Sequence, residues 1–189
     1  MFYTAQIRKA ILIANQAHKG KLRRGPPKIP AINHPLAVGL ILARVRPKNE
    51  DLIVAGILHD TVEDSPRNSK ITLKALEEIF GRDVAGLVAS VTQDMSDSWE
   101  KRKQESTARI YEMEADGMLL KCADMLSNLN DLYNSLDSYG QEALELFSRG
   151  FDVMMEHYDD RIEAFDTVWP ENPLLPELRD VYGRLKKFL

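Results

Sequence analysis

The sequence predicts an all-α protein. Apolar residues recur at intervals of three and four along most of the 189 residues, and no segment alternates apolar and polar side chains as a half-buried strand would. Gly, Pro and Asn punctuate the periodic stretches where helices begin and end. A hydrophobic fraction of 44% beside 29% charged residues suits a globular chain with a substantial core. One domain over residues 1–189 is expected, with 141–189 as its C-terminal helices.

Taken in order, a first helix is expected from Tyr3 to about His18, turning Ile7, Ile11, Leu12 and Ala14 inward. Residues 20–30 form a loop by their Gly and Pro content. Pro35 fits the first turn of a helix running to Arg44 and stopping before Pro47. Asn49 caps the next helix, whose first turn carries Glu50 and Asp51 at the end that favours negative charge. That helix runs through Leu52-Ile53-Val54-Ala55-Gly56-Ile57-Leu58 into His59-Asp60 and, one turn later, Glu63-Asp64. After a turn at 65–70, Thr72 to Phe80 reads as a helix closed by Gly81, and Asp83 to Thr92 as another. Residues 93–98 are a polar loop, 99–114 are strongly charged, and Met118 to Leu132 is a helix holding Asp124. Residues 141–165 read as one long helix, which Trp169-Pro170-Glu171-Asn172-Pro173 ends before a final helix from Pro176 to Phe188.

Composition narrows the function classes. No run of about 18 apolar residues marks a membrane span, and the N-terminal residues lack the charge-then-apolar order of a secretory signal. The single cysteine, Cys122, fits a reducing compartment, expected to be the cytoplasm, and its apolar helical setting makes it a buried structural thiol. The net charge of −4 is divided unevenly: the first 49 residues hold ten Lys or Arg and no Asp or Glu, the remaining 140 hold 15 and 29. A basic loop in an acidic protein argues against nucleic-acid coating. It suits a focused field for a small polyanion, although a solvated basic loop would have the same composition.

The chemistry-bearing residues are His59 and Asp60, with His34 upstream and Asp124 downstream. Burying that much charge at one end of an apolar segment is costly unless a cation offsets it. Two imidazoles and two carboxylates with open positions favour Mn²⁺, Fe²⁺ or Mg²⁺ over a closed structural zinc site. Glu63 and Asp64, beside such a centre, would orient the attacking water and handle protons; two acids at a helix C-terminus otherwise lack a reason. Arg23 and Arg24, with Lys19 and Lys21, are the phosphate-binding candidates, since a guanidinium grips phosphate oxygens with paired hydrogen bonds. Asn128, four residues after Asp124 on the same face, either bonds a ribose or base edge or satisfies a backbone group. His18 reads as holding the following loop, His157 as part of a solvated acidic face, and Trp99 and Trp169 as packing residues.

Several of these segments occur in the order and approximate spacing of a known family. They are Ala17-His18-Lys19-Gly20, Arg23-Arg24, Ile32-Asn33-His34-Pro35, His59-Asp60-Thr61-Val62-Glu63-Asp64, Phe80-Gly81 with Val91-Thr92, and Lys121-Cys122-Ala123-Asp124 followed by Asn128-Leu129. The chain resembles the HD-domain hydrolases of the RelA/SpoT type, and more closely the stand-alone small alarmone hydrolases, over residues 3–135. The Glu-Asp pair after His-Asp is the discriminating element. The resemblance implies an HD-domain helical bundle that binds Mn²⁺ at His34, His59, Asp60 and Asp124, with Glu63 and Asp64 activating water and Arg23 and Asn128 contacting nucleotide. It implies removal of the 3′-pyrophosphate of (p)ppGpp to give GDP or GTP plus pyrophosphate, without synthesis. The partner is then a small-molecule nucleotide, with no nucleic acid and no membrane. Departures from the family pattern lie at Ala31, in Gly25-Pro26-Pro27, in Gln93 to Trp99 and at Asn130. An HD phosphohydrolase acting on another nucleotide, or a non-catalytic nucleotide-binding module, are the alternatives.

Overall fold

A computed structural model describes residues 3–144 and 150–189. Among these the regular structure is helical, and the nearest approach to a strand is a single antiparallel bridge between Leu22 and Pro30.

The first helix, α1 (Ala5–Ala17), starts at Thr4, whose hydroxyl accepts the Ile7 N–H. It buries Ile7, Ala10, Ala14 and Ala17, whereas Leu12, expected inward, is 53% exposed. Two residues of helix turn Leu12 by about 200° from Ala10 and Ala14, onto the opposite face. The helices α2 (Asn33–Val45) and α3 (Glu50–Leu58) follow, the latter capped by the Asn49 side chain, which accepts the Leu52 N–H. Every residue from Leu52 to Leu58 is buried. A helix apolar on all sides belongs at the centre of a bundle, and α3 packs against α1, α2, α6 (Arg82–Val91) and α8 (Ala115–Tyr139).

The α2–α3 crossing is unusually close. A Cβ on Gly56 would lie 2.6 Å from Leu42 Cδ1 and 3.4 Å from the Gly39 backbone, and one on Gly39 would lie 2.7 Å from Ile57 Cγ1. Two facing glycines therefore set this distance, and the crossing brings the N-terminal turn of α2 near the end of α3.

The expected continuation of α3 through Asp64 does not hold. The helix breaks at His59-Asp60 and hydrogen bonding restarts as a single turn, α4 (Thr61–Asp64), with the Asp64 N–H on the Asp60 carbonyl and the Thr61 hydroxyl donating to Leu58 O at 2.6 Å. Consecutive residues of a straight helix point about 100° apart; the break lets His59 and Asp60 face one centre.

Beyond it lie α5 (Leu73–Phe80), capped by Thr72 and ended by Gly81 at φ 91°, then α6, then α7 (Trp99–Ala108) and a 3₁₀ turn at Arg109–Tyr111. The helix carrying Asp124 is longer than its apolar pattern suggests, Ala115–Tyr139 against an expected Met118–Leu132. The helices α9 (Gln141–Leu144) and α10 (Phe151–Val168) replace the expected continuous 141–165 helix. Gly150 sits at φ 90°, outside helical space, just before α10; residues 145–149 of that expectation lie outside the described ones. The final helix α11 (Leu175–Leu185) runs into a 3₁₀ turn at Lys186–Phe188 and packs on α8 and α10. One continuous apolar core joins residues from α1 through α11. No helix among the described residues is long and apolar enough to cross a membrane.

Candidate active site

Four polar side chains converge where α2, the α3–α4 break and α8 meet. His34 and His59 are each 3% exposed. Their Nε2 atoms face each other at 3.2 Å. Asp60 lies 3.1 Å from His59 Nε2 and 3.5 Å from His34 Nε2, and Asp124 Oδ1 lies 3.3 Å from His34 Nε2 and 3.8 Å from His59 Nε2. His34, His59 and Asp124 offer one ligand atom each within 4.8 Å of one another. Donors around an octahedral cation with bonds of about 2.1 Å lie roughly 3 Å apart along each edge, the scale seen here.

The outer contacts explain the ring orientations. His59 Nδ1 lies 2.8 Å from the Gly56 carbonyl, and a carbonyl accepts only, so Nδ1 carries the proton and the lone pair of Nε2 faces the centre. His34 Nδ1 is 2.9 Å from Ser127 Oγ. Two imidazole nitrogens aimed at each other across 3.2 Å must share a proton or a cation between them. Without a metal a proton takes that part: burial disfavours charged His59, yet the carboxylates of Asp60 and Asp124 push its pKa up to about 9. Burial would also raise the two carboxyls, but His59 and His34 hold Asp60 below the ordinary carboxylate range, and Lys121 and the same imidazoles hold Asp124 well below it. The donor set thus fits a divalent cation.

Glu63 and Asp64 have different surroundings. Glu63 accepts the Gln93 N–H at 2.6 Å, and burial, reinforced by Asp60 and Asp124, raises its pKa. Asp64 lies 3.2 Å from His18 Nδ1 and 2.9 Å from Lys21 Nζ, and these partners hold its carboxyl below the usual range. Lys21 also donates to the Asp64 backbone carbonyl. His18, expected to hold the following loop, accepts the Lys21 N–H with its carbonyl and is buried with its ring beside Asp64.

The basic loop folds back on itself through Arg23 N–H to Ile29 O at 2.8 Å and Ala31 N–H to Lys21 O at 2.9 Å, and Ser135 pins its tip through Pro26 O at 2.7 Å. Arg23 donates to Asp131 from Nε at 3.1 Å and from Nη2 at 2.9 Å, and to Asn128 Oδ1 at 2.8 Å, while Asn128 Nδ2 donates to Asp124 Oδ1 at 2.7 Å. A hydrogen-bonded chain therefore links the loop to the four-residue cluster. Between loop, α8 and α10 lies a cleft of about 560 Å³ whose walls include Arg23, Arg24, Lys21, Asp64, Asn128 and Tyr158. This is the size of an ordinary small-molecule pocket. Lys19, expected among the phosphate binders, is exposed and not part of that wall.

Sequence reading missed Ser127, Asp131, Lys121 and Tyr158. Two of them, Lys121 and Asp131, carried a signal. Lys121, Asp124, Asn128, Asp131 and Ser135 follow the three-and-four spacing of one helix face, a polar stripe along a helix that is otherwise largely buried. His157, expected on a solvated face, packs edge-on against Trp99 with ring centroids 4.7 Å apart. Cys122 is buried as expected, and burial raises its thiol pKa far above the usual value.

An all-helical fold that brings His34, His59 and Asp124 within ligand-atom reach of one another, with the Asp60 carboxylate beside both imidazoles, defines a class of helical domains able to hold a metal. A family model described as HD domain matches residues 10–149, and the chain belongs to the HD-domain family. It is 34% identical over 130 residues to the guanosine-3′,5′-bis(diphosphate) 3′-pyrophosphohydrolase MESH1 of Danio rerio, covering 68% of this chain and 70% of the relative. It is 33% identical over 153 residues to the bifunctional (p)ppGpp synthase/hydrolase SpoT of Escherichia coli K12, covering 76% of this chain and 21% of that much longer one. A solved structure, described as a metazoan ortholog of SpoT that hydrolyzes ppGpp, superposes with a TM-score of 0.83 at 25% identity over 100% of this chain and 99% of its own. The lmo0812 protein of Listeria monocytogenes EGD-e superposes with a TM-score of 0.73 at 30% identity over 82% and 99%.

Proposed function

We propose that this chain is a metal-dependent hydrolase that removes the 3′-pyrophosphate of guanosine tetra- and pentaphosphate, yielding GDP or GTP and pyrophosphate. The observation that carries the reading is the convergence of His34, His59, Asp60 and Asp124 beside the half-buried Glu63, at the edge of a cleft walled by Arg23 and Arg24. Its similarity to 3′-pyrophosphohydrolases supports the choice of substrate.

His34, His59, Asp60 and Asp124 hold the divalent cation, which we assign as Mn²⁺. Such a cation supplies Lewis acidity and charge neutralisation at the phosphoryl oxygens. Glu63, whose proton affinity burial has raised, takes the proton of the attacking water. Asp64 stays charged, orients that water and keeps Lys21 at the cleft mouth. Arg23 and Arg24 grip phosphate oxygens, with Lys19 adding long-range positive charge, and Asn128 contacts the nucleoside. To receive a phosphate, Arg23 exchanges its bonds to Asp131 for bonds to the substrate. The reading includes a single domain with residues 141–189 as its C-terminal helices, a cytoplasmic setting, and no nucleic-acid or membrane partner.

A nucleotide panel tests it. Chelator-treated protein reloaded separately with Mn²⁺, Mg²⁺ or Fe²⁺ is offered ppGpp, pppGpp, their adenosine analogue and a phosphorylated dinucleotide cofactor, with products resolved by chromatography. Release of pyrophosphate from ppGpp, fastest with Mn²⁺, is expected. Preferred turnover of another nucleotide would move the substrate, and binding without turnover by any loaded form would make the chain a binding module.

A further inference from the structure

The C-terminal half of the fold brings two cations toward the metal end that the chemistry above leaves unused. Arg161 of α10 is 4% exposed, its Nε is a buried donor without an acceptor, and no carboxylate among the described residues lies within ion-pair distance. Its guanidinium stands 5.1 Å from the ring centroid of Tyr158, which lines the cleft. Tyr158 is within electrostatic reach of Arg161, Asp124 and Arg23 alike. On α7, which packs against α10, the Lys103 amine lies 5.6 Å from the Trp99 ring centroid and also has no carboxylate partner among the described residues. Burial and the neighbouring charges of Arg161 and Lys121 push the Lys103 pKa down to about 8. Lys121, by contrast, is satisfied by Asp124 at 3.0 Å.

An unpaired buried cation costs stability, and a second cation beside it costs more. Contact with an aromatic ring offsets only part of that. Arrangements of this kind persist where a ligand supplies the missing opposite charge. The loop cations Lys21 and Arg23 already have carboxylate partners, Asp64 and Asp131; Arg161 and Lys103 have none, so here the substrate itself would complete the pairing.

We infer that Arg161, with Lys103 beside it, is a further anion-binding position of this active site, holding a phosphate or diphosphate group of the nucleotide on the α10 side of the metal residues, apart from the basic loop. The inference rests on the phosphohydrolase reading of the site.

The test uses the full metal-loaded chain and inorganic pyrophosphate as the probe, with binding read by titration calorimetry and stability by thermal unfolding. Arg161→Met is expected to keep its metal and to melt no lower than wild type, since an unpaired charge has gone, while pyrophosphate affinity and KM for ppGpp worsen roughly 10- to 100-fold. Arg161→Lys should restore part of the affinity, and Lys103→Met should show a smaller loss. Unchanged pyrophosphate affinity and KM in Arg161→Met, with ppGpp still turned over, would overturn the inference and leave the substrate reading standing. Lost pyrophosphate affinity in a chain that turns over a different nucleotide would keep the anion position and move the substrate. Should Arg161→Met fail to fold, Lys103→Met carries the test, and unchanged affinity there overturns the inference.

Discussion

His34 and Arg23 lie 11 residues apart in the chain, yet the fold treats them in opposite ways. His34 stands in the first turn of α2, 3% exposed, with one ring nitrogen on Ser127 and the other facing His59 and two carboxylates. Arg23 hangs from a loop, partly exposed, and its bonds go to Asp131 and Asn128, groups a substrate oxygen can replace. Parts that must be placed within tenths of an ångström come from helices and helix ends braced by a second layer of contacts. Parts that meet a variable ligand come from a loop and are kept neutralised in reserve. The excess of cations in the first 49 residues is thereby partly cancelled in three dimensions, since Lys21 and Arg23 each carry an acid from elsewhere in the chain.

The comparison breaks first at the braced end. His59→Ala removes a ligand and the bond to Gly56 O, and turnover should fall to the level of chelator-treated wild type. Elemental analysis of the purified variant should find the divalent metal largely gone. A variant retaining both metal and activity would place the centre elsewhere.

Next comes the proton-handling group. Glu63→Gln keeps the size of the side chain and still accepts the Gln93 N–H, so metal content should hold while kcat drops about 10²- to 10⁴-fold, the usual contribution of a general acid–base group. A wild-type kcat would assign Glu63 to structure alone.

The loop end should respond more mildly. Arg23→Ala is expected to cost roughly 1.5–3 kcal/mol in kcat/KM, the range for hydrogen bonds to a charged group, with metal content untouched. Arg23→Lys should recover only part, because an ammonium cannot make the paired contact. Steady-state kinetics across ionic strength measure this. Equal kcat/KM in Arg23→Ala would reduce the loop to solvated surface.

The smallest effect concerns the contact joining the two regions. The carboxyl of Asp64 is held below its ordinary range by His18 and Lys21, so its stabilising contribution is present above the unfolded carboxylate pKa near ~3.9 and is lost as pH falls through the lower folded value. The side chain is 42% exposed, so solvent screening keeps the pair within about 1 kcal/mol. Denaturant midpoints of wild type and Asp64→Asn should differ slightly at neutral pH and draw progressively together as pH falls below about 4. A gap independent of pH would mean that the contact is not electrostatic.

Local signals were legible in the sequence and tertiary ones were not. Asn49, Thr72 and Gly81 mark helix ends because a cap is decided by a few neighbouring residues. The apolar run ending in His59-Asp60, with His34 and Asp124 found by residue type, was enough to anticipate which side chains converge. The break after Leu58 was invisible, because the pattern from Leu52 to Asp64 is helical throughout. Leu12 was misplaced because two apolar faces compete on α1 and only packing against α3 chooses between them. Arg161 follows an acidic stretch that reads as solvated; it is buried where α10 packs against α7 and the Arg109–Tyr111 turn, far away in sequence. Gly56 looked like one more small residue in an apolar run, and its part in the α2–α3 crossing and in orienting His59 belongs to three dimensions.

The polar stripe of α8 makes that helix a ruler. Asp124 at one graduation joins the His34–His59 cluster, Asn128 at the next connects to it, and Asp131 at the third anchors Arg23. With about 1.5 Å of rise per residue, the seven positions from Asp124 to Asp131 fix the spacing between reacting centre and loop grip at roughly 10 Å. Loop substitutions can alter how strongly a ligand is held, but the length of ligand that fits is written in helix pitch. Inserting a single residue between Asn128 and Asp131 would swing the last mark about 100° around the axis and leave Arg23 held by Asn128 alone.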